Sequence, residues 1–288
     1  MKSRSLKFML ALSCGLLAVA ANAASVEKAA KKPFADADHV IYTPTRDSVV
    51  PKAGSNLTNH GGGVLTSAKV VFIFWGPNFA NASSADHTYA TTLQAFRNQF
   101  GTTPEYNVIT QYSGIQLTNL GSGTPDWFDT SSPPTNVTDA TVQAEVNRYF
   151  SGGHGAFNSS TIYEVVIPKT SFSSSGSSTS CGGPSLAYCA YHGAFNNSSG
   201  TVKYSIEPYP SCSGCKVSGW SDVQNQEHFV CHETREAVTD PVNGWWNSTT
   251  GAEADDQCAW SPTPFIGTGS FAYQYEWSNL VSGCVRTR

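Results

Sequence analysis

Hydrophobic and polar positions alternate in several distinct rhythms along this chain. Val70-Val71-Phe72-Ile73-Phe74-Trp75 is an unbroken apolar run, the pattern of a short strand buried on both faces. Tyr89, Leu93, Phe96 and Phe100 then recur at helical spacing, with Ser84 placed to cap the helix and Gly101 to stop it. Val142, Val146, Tyr149 and Phe150 mark a second helix that starts near Thr138 and ends at Gly152-Gly153. Three short strands are expected at Ile162 to Ile167, Leu186 to Tyr191 and Val202 to Ile206. A third helix follows from about Asp222 to Thr239, with Ser221 as its cap, because Pro241 forces Asp240 out of helical angles. From Asn243 onward Gly, Pro, Ser and Trp dominate, and an irregular C-terminal part is expected. The pattern is that of a single α/β layered domain with a mixed sheet.

The first residues change the picture of where the chain acts. Lys2, Arg4 and Lys7 precede an apolar run from Phe8 to about Ala20 and then Ala21-Asn22-Ala23, the three parts of a secretory signal, so residues 1–23 are expected to be removed. Residues 24–55 show no sustained period and are expected to form a flexible leader or pro-segment, with the folded domain over 56–288. Cleavage takes three of the 17 basic groups and no acidic one, leaving 14 against 21, a formal charge of −7. That balance excludes nucleic acid and anionic membranes as partners. No later segment approaches the roughly 18 apolar residues of a membrane helix. A secreted or periplasmic protein is expected, whose partner is a peptide or protein substrate or cell-wall material.

Seven cysteines remain after cleavage: Cys181, Cys189, Cys212, Cys215, Cys231, Cys258 and Cys284. In an exported chain they read as disulfides rather than a thiolate metal cluster. Cys212-x-x-Cys215 lies in the turn-rich PSCSGCKVSG with no helix after it, which suggests a small-loop disulfide. The odd count leaves one thiol free, and Cys231, inside the third helix, is the candidate.

The third helix also carries the chemistry. CHETREAVTDP, residues 231–241, nearly matches the zinc-protease signature H-E-x-x-H, with Glu236 in place of the second histidine. His232 and Glu236 are one helical turn apart and reach one ion from the same side, while Glu233 points about 100° away, where a carboxylate serves as general base. A catalytic zinc takes three protein ligands. GAEADDQC, residues 251–258, supplies Glu253 first and Asp256 second, with Asp240 at the helix end as the third choice; Asp255 lies in the same cluster. The plain alternatives are a His-Glu pair that serves only packing, and a solvated or calcium-binding acidic loop. One imidazole with two carboxylates is a harder set than the usual zinc ligands, which makes the choice of metal less secure. His228, a turn earlier, reads as a core or surface histidine; His192 and His60, at strand or loop ends, either orient substrate or are ordinary turn residues. Tyr273 or Tyr275 is placed to stabilise an oxyanion.

NHGGGVLTSAKVVFIFWGPNF, CAYHG, PSCSGC, the stretch from HETREAVTDP to AEADDQCAW, and YQYEWSN with Cys284 resemble the EXORDIUM or phosphate-induced protein family in its bacterial form. The resemblance covers most of residues 57–288. Similar bacterial sequences carry H-E-x-x-E-A-x-T-D-P and then E-x-x-D-x-C, which fall here on His232, Glu233, Glu236, Asp240, Glu253, Asp256 and Cys258. It implies disulfides Cys181 to Cys189, Cys212 to Cys215 and Cys258 to Cys284, with Cys231 unpaired. Plant members, which act in the cell wall during growth, lack the His and Glu of this helix, so the resemblance implies an extracellular role without implying catalysis. The resulting expectation is a zincin-like metallohydrolase acting on peptide bonds, with zinc held by His232, Glu236 and Glu253. The rival is a non-catalytic protein that binds cell-wall or carbohydrate material.

Overall fold

A computed structural model describes residues 41–47, 55–121, 123 and 125–288; the expected signal at 1–23 lies outside them. The central sheet is built from β1 (Ile41–Pro44), β2 (Lys69–Trp75), β3 (Trp127–Asp129), β4 (Thr161–Val166), β5 (Tyr188–Asn197) and β6 (Gly200–Glu207), in the order β1-β5-β6-β4-β2-β3. β6, β4, β2 and β3 run parallel, while β1 and β6 flank β5 antiparallel, so the sheet is mixed as expected.

Three helices cover the sheet: α1 (Ala85–Phe100), α2 (Asp139–Ser151) and α3 (Asp222–Thr239). Ser84 and Ser221 are the caps read from the sequence, and Thr138, expected near the start of α2, is its cap. Ser84 accepts the Asp86 N–H, Thr138 accepts the Thr141 N–H, and Ser221 with Gln224 forms a reciprocal capping box. Alternate residues of β2 enter different cores, which is why that run could be apolar throughout. Val71, Ile73 and Trp75 pack with Val142, Val146 and Tyr149 of α2. Val70, Phe72 and Phe74 pack with Leu93, Phe96 and Phe100 of α1 and Val230 and Val238 of α3. Each such side chain stabilises the fold by about 1.5–3 kcal/mol when fully buried. Among the described residues no helix is long and apolar enough to cross a membrane.

Two expectations are corrected. Residues 41–44, assigned to a flexible leader, form the edge strand β1. Its register places Ile41 opposite His192 and Thr43 opposite Ala190. Backbone pairing and local anchors hold this strand: Arg46 N–H donates to Gly214 O at 2.7 Å and Trp260 Nε1–H to Pro44 O at 2.8 Å. A four-residue edge strand needs no hydrophobic period of its own, so the sequence carried no signal for it. The disulfides are Cys181–Cys212, Cys189–Cys215 and Cys258–Cys284, with Cys231 free and buried. Only the last pair and the free thiol match the pairing the resemblance implied, and the small-loop reading of Cys212-x-x-Cys215 fails. The turn at Ser213–Cys215 lies across two chain segments and sends one cysteine to each, at Cα separations of 5.4 and 5.5 Å.

At the α2 side of the sheet, Glu145 and Asp129 face each other beside Arg148, whose Nη1 stands 2.7 Å from Glu145 Oε2 and 3.2 Å from Asp129 Oδ2. Burial, and then the hydrogen bond with Asp129, pushes Glu145 from 4.5 up to about 8. Asp129 is held below its usual value despite burial, chiefly by the Ser131 hydroxyl and amide, so the shared proton sits on Glu145.

Peptide mapping without reductant is expected to recover Cys181 joined to Cys212 and Cys189 joined to Cys215; an intact 212–215 loop peptide contradicts the fold. Replacing Cys189 and Cys215 together with Ser is expected to cost about 2–4 kcal/mol in urea unfolding. Glu145 binds its proton more tightly folded than unfolded, so its contribution is fully present below about pH 4.5 and lost as pH rises through about 8. Stability of Glu145→Gln is therefore expected to decline less than that of the parent between pH 5 and 8, measured by denaturation midpoints.

Candidate metal centre

From Asn225 to Thr239 every residue of α3 is buried, although the segment includes Asn, Gln, Glu, His, Thr and Arg. A polar side chain taken out of water must be paired inside the protein, and the neighbours of α3 are polar where the helix is. Strand parity explains the sheet side. Tyr191, Tyr204 and Ile206 point to the α2 core, so His192, Ser205 and Glu207 point to α3, as Glu164 does from β4. Thr234 donates to Glu164 at 2.7 Å and Gln226 to Glu207 at 2.6 Å. Burial pushes Glu164 up to about 8 and, with Glu164 next to it, raises Glu207 well above the carboxylate range.

Glu233 faces the same layer. The Thr43 hydroxyl donates to its Oε1, and His192 Nδ1 stands 2.9 Å from its Oε2. Both oxygens of the expected general base are therefore engaged by β1 and β5.

His232 and Glu236 face the C-terminal coil instead. His232 Nδ1 is 3.1 Å from Gln274 Oε1. Gln274 Nε2 donates to Asp255 O at 2.6 Å, which leaves Oε1 as an acceptor and puts the Nδ1 proton on His232. Its Nε2 then points at Glu236 Oε2, 3.1 Å away, and at Asp256 Oδ1, 3.7 Å away. His232 Nε2, Glu236 Oε2 and Asp256 Oδ1 are all buried with no hydrogen-bond partner. The second oxygens are fixed: Glu236 Oε1 accepts the Asp256 N–H at 2.8 Å, and Asp256 Oδ2 accepts the Glu253 N–H at 3.2 Å. Glu253 Oε2 lies 3.4 Å from His192 Nε2.

The electrostatics are those of a crowded anionic cluster. Burial works against a charge on His232, yet Glu236 and then Glu233 hold its proton and raise its pKa well above the usual value. His192 behaves alike, with Glu253 and Glu233 as the holding carboxylates. Burial pushes Glu236 up to about 7 and lifts Asp256 well above its range. Metal binding at such a group must displace these protons.

Several sequence-level assignments change here. Glu253, ranked first as third ligand, stands beside His192, and Asp256 is the carboxylate beside His232. Asp240 is not brought to the group: its carboxylate accepts the Gly244 N–H beyond the helix end. Asp255 belongs to Arg235, which it meets through Nη2 and, at 3.1 Å, Nε; Glu276 adds a contact of 2.7 Å. Arg235 therefore does not compensate Glu236. Tyr275 and Tyr273 are also elsewhere, because the Tyr275 hydroxyl accepts from Arg286 at 2.7 Å and the Tyr273 hydroxyl donates to Thr268 O at 3.0 Å. Gln274, between them, is the residue that reaches the site. His228 is a core histidine whose pKa burial lowers to about 3; its Nε2–H donates to Gln274 Oε1. His60 stacks on Trp246 at 3.5 Å, away from the centre. Thr43, Gln274 and the placing of His192 between Glu233 and Glu253 were not foreseen. The available signal was parity, since His192 alternates with Ala190 and Ala194 on the face opposite Tyr191 and Phe195.

Comparison of the chain with family models, with characterised proteins and with solved structures finds no match in any of the three. The chemistry of the centre rests on its own geometry.

Proposed function

We propose that this chain is an exported, metal-dependent hydrolase with a zincin-like helix, acting on peptide bonds, in which His232, Glu236 and Asp256 hold the ion. One observation carries this reading: Glu236 Oε2 and Asp256 Oδ1 lie 3.1 and 3.7 Å from His232 Nε2, and all three atoms are buried without a hydrogen-bond partner. Ligands at 2.0–2.2 Å from a tetrahedral ion stand roughly 3.3 Å apart, a value these separations bracket. The imidazole favours zinc over calcium, which takes six to eight oxygens. The motif letters behind the EXORDIUM-type kinship gather at this centre, apart from Asp240 and the disulfide-bonded Cys258, and the kinship belongs to the same proposal.

When bound, a divalent ion polarises a carbonyl and acidifies a water. The chain's own residues supply the rest. Gln274 keeps the His232 imidazole turned with Nε2 toward the carboxylates. The backbone N–H of Asp256 locks Glu236, and the N–H of Glu253 locks Asp256. Glu233 is the proton-transfer residue, and its release from the Thr43 hydroxyl precedes that role.

A second reading is favoured by one specific observation. His192, His232, Glu233, Glu236, Glu253 and Asp256 are all buried, at most 3% exposed. A centre so enclosed also suits a non-catalytic extracellular protein that binds cell-wall or carbohydrate material.

Metal content and peptide hydrolysis of the parent, Glu233→Ala and His232→Ala separate the two. The hydrolase is expected to retain zinc in the parent and in Glu233→Ala, and to lose it in His232→Ala. Turnover is expected to fall about 10²–10⁴-fold in Glu233→Ala. A folded, metal-free parent ends the metal reading, and a metal-loaded parent without hydrolysis ends the catalytic one.

A further inference from the structure

The two imidazoles at the centre are arranged alike. His232 donates Nδ1–H to a fixed acceptor, Gln274 Oε1, and turns Nε2 to Asp256 and Glu236. His192 has Nδ1 2.9 Å from a fixed carboxylate oxygen, Glu233 Oε2, and turns Nε2 to Glu253 at 3.4 Å. An acceptor on Nδ1 sets the tautomer in which Nε2 is a metal ligand, and a carboxylate in that position also raises the basicity of the ring. Glu233 thus stands to His192 as Gln274 stands to His232.

Glu236 joins the two halves. Its Oε2 lies 3.1 Å from His232 Nε2 and 3.9 Å from His192 Nδ1. Donor atoms of His192, Glu236 and Glu253 lie within 4.8 Å of one another, and so do those of His232, Glu233 and Glu236. Asp256 Oδ1 stands 3.7 Å from His232 Nε2 and Glu253 Oε2 3.4 Å from His192 Nε2, so each imidazole has a carboxylate neighbour of its own besides Glu236.

Charge points the same way. Among the described residues no lysine or arginine forms an ion pair with Glu233, Glu236 or Asp256, and the arginine of the helix is held by Asp255 and Glu276. In the metal-binding form, with these carboxylates ionised and the imidazoles neutral, one divalent ion offsets two of the three negative charges. An uncompensated buried charge is strongly unfavourable.

We infer that the centre is dinuclear: His232, Asp256 and Glu236 hold one divalent transition-metal ion, and His192, Glu253 and Glu236 hold a second, with Glu236 between them. This rests on the metal-centre reading above. Glu233 then orients His192 through Oε2 and keeps Oε1, the oxygen held by Thr43, for proton transfer, and the arrangement suits the metal pairs, about 3.5–4 Å apart, that act together on amides or phosphate esters.

The test is zinc stoichiometry of the full chain, loaded with zinc chloride, dialysed and measured by plasma mass spectrometry. The parent is expected to hold two ions per chain. His192→Gln and Glu253→Gln are each expected to retain one, His232→Gln to retain one at most, and Glu236→Gln to fall below the parent by at least one. Circular dichroism identifies any variant that fails to fold, and the His192 and Glu253 variants substitute for each other in that event. One ion in the parent, or two in both folded His192→Gln and Glu253→Gln, overturns the second position and leaves the mononuclear reading standing. No ion in folded parent protein overturns both.

Discussion

The structure depends on the burial of a polar helix. A helix that exposes none of its side chains from Asn225 to Thr239 must find partners for all of the polar ones within the protein. The rest of the molecule supplies them. The sheet offers His192, Glu207 and Glu164, the edge strand offers Thr43, and the C-terminal coil offers Asp255, Asp256, Gln274 and Glu276. Each unpaired group in such an interior costs on the order of 1–3 kcal/mol. The irregular C-terminal part is therefore as necessary as the strands, because it caps the helix face that the sheet does not reach. The Cys258–Cys284 disulfide ties that coil to itself beside the acidic segment.

Within this frame the helix divides its work by direction. Glu233 looks to the sheet, His232 and Glu236 look to the coil, and Arg235 looks to Asp255 and Glu276. The arginine is paired with Asp255 and Glu276 and leaves the neighbouring set without a fixed cation. Imidazole protons and raised carboxyl pKa values are how that second set is neutralised without metal. On the proposed metal reading, a divalent ion takes the place of those protons at donor atoms that point inward rather than to solvent.

Much of the architecture was legible. Apolar spacing located the first two helices and the central strands, Ser221 and Pro241 bounded the third helix, and Ser84 and Ser221 were legible as caps. The face-sharing of His232 and Glu236 followed from helical geometry, as did the separate direction of Glu233. The N-terminal edge strand, the crossed disulfides at Cys181, Cys189, Cys212 and Cys215, and the placing of Asp240, Tyr273 and Tyr275 away from the centre were not. These depend on which segments lie side by side. Asp240 is four residues from Glu236 yet turns to Gly244, because the helix has ended and its carboxylate meets a free N–H there.

The sequence by itself determined the local rhythm: where helices begin and end, which strand is buried on both sides, and that one helix carries an imidazole and a carboxylate one turn apart. These are short-range consequences of side-chain period and backbone sterics. Only the tertiary structure decided that His192 faces Glu233, that Asp256 stands beside His232 and Glu253 beside His192, and that Gln274 fixes the His232 tautomer. Those meetings join residues tens of positions apart, and nothing in local spacing encodes them. They arise because a buried polar surface accepts only the arrangement that pairs its groups.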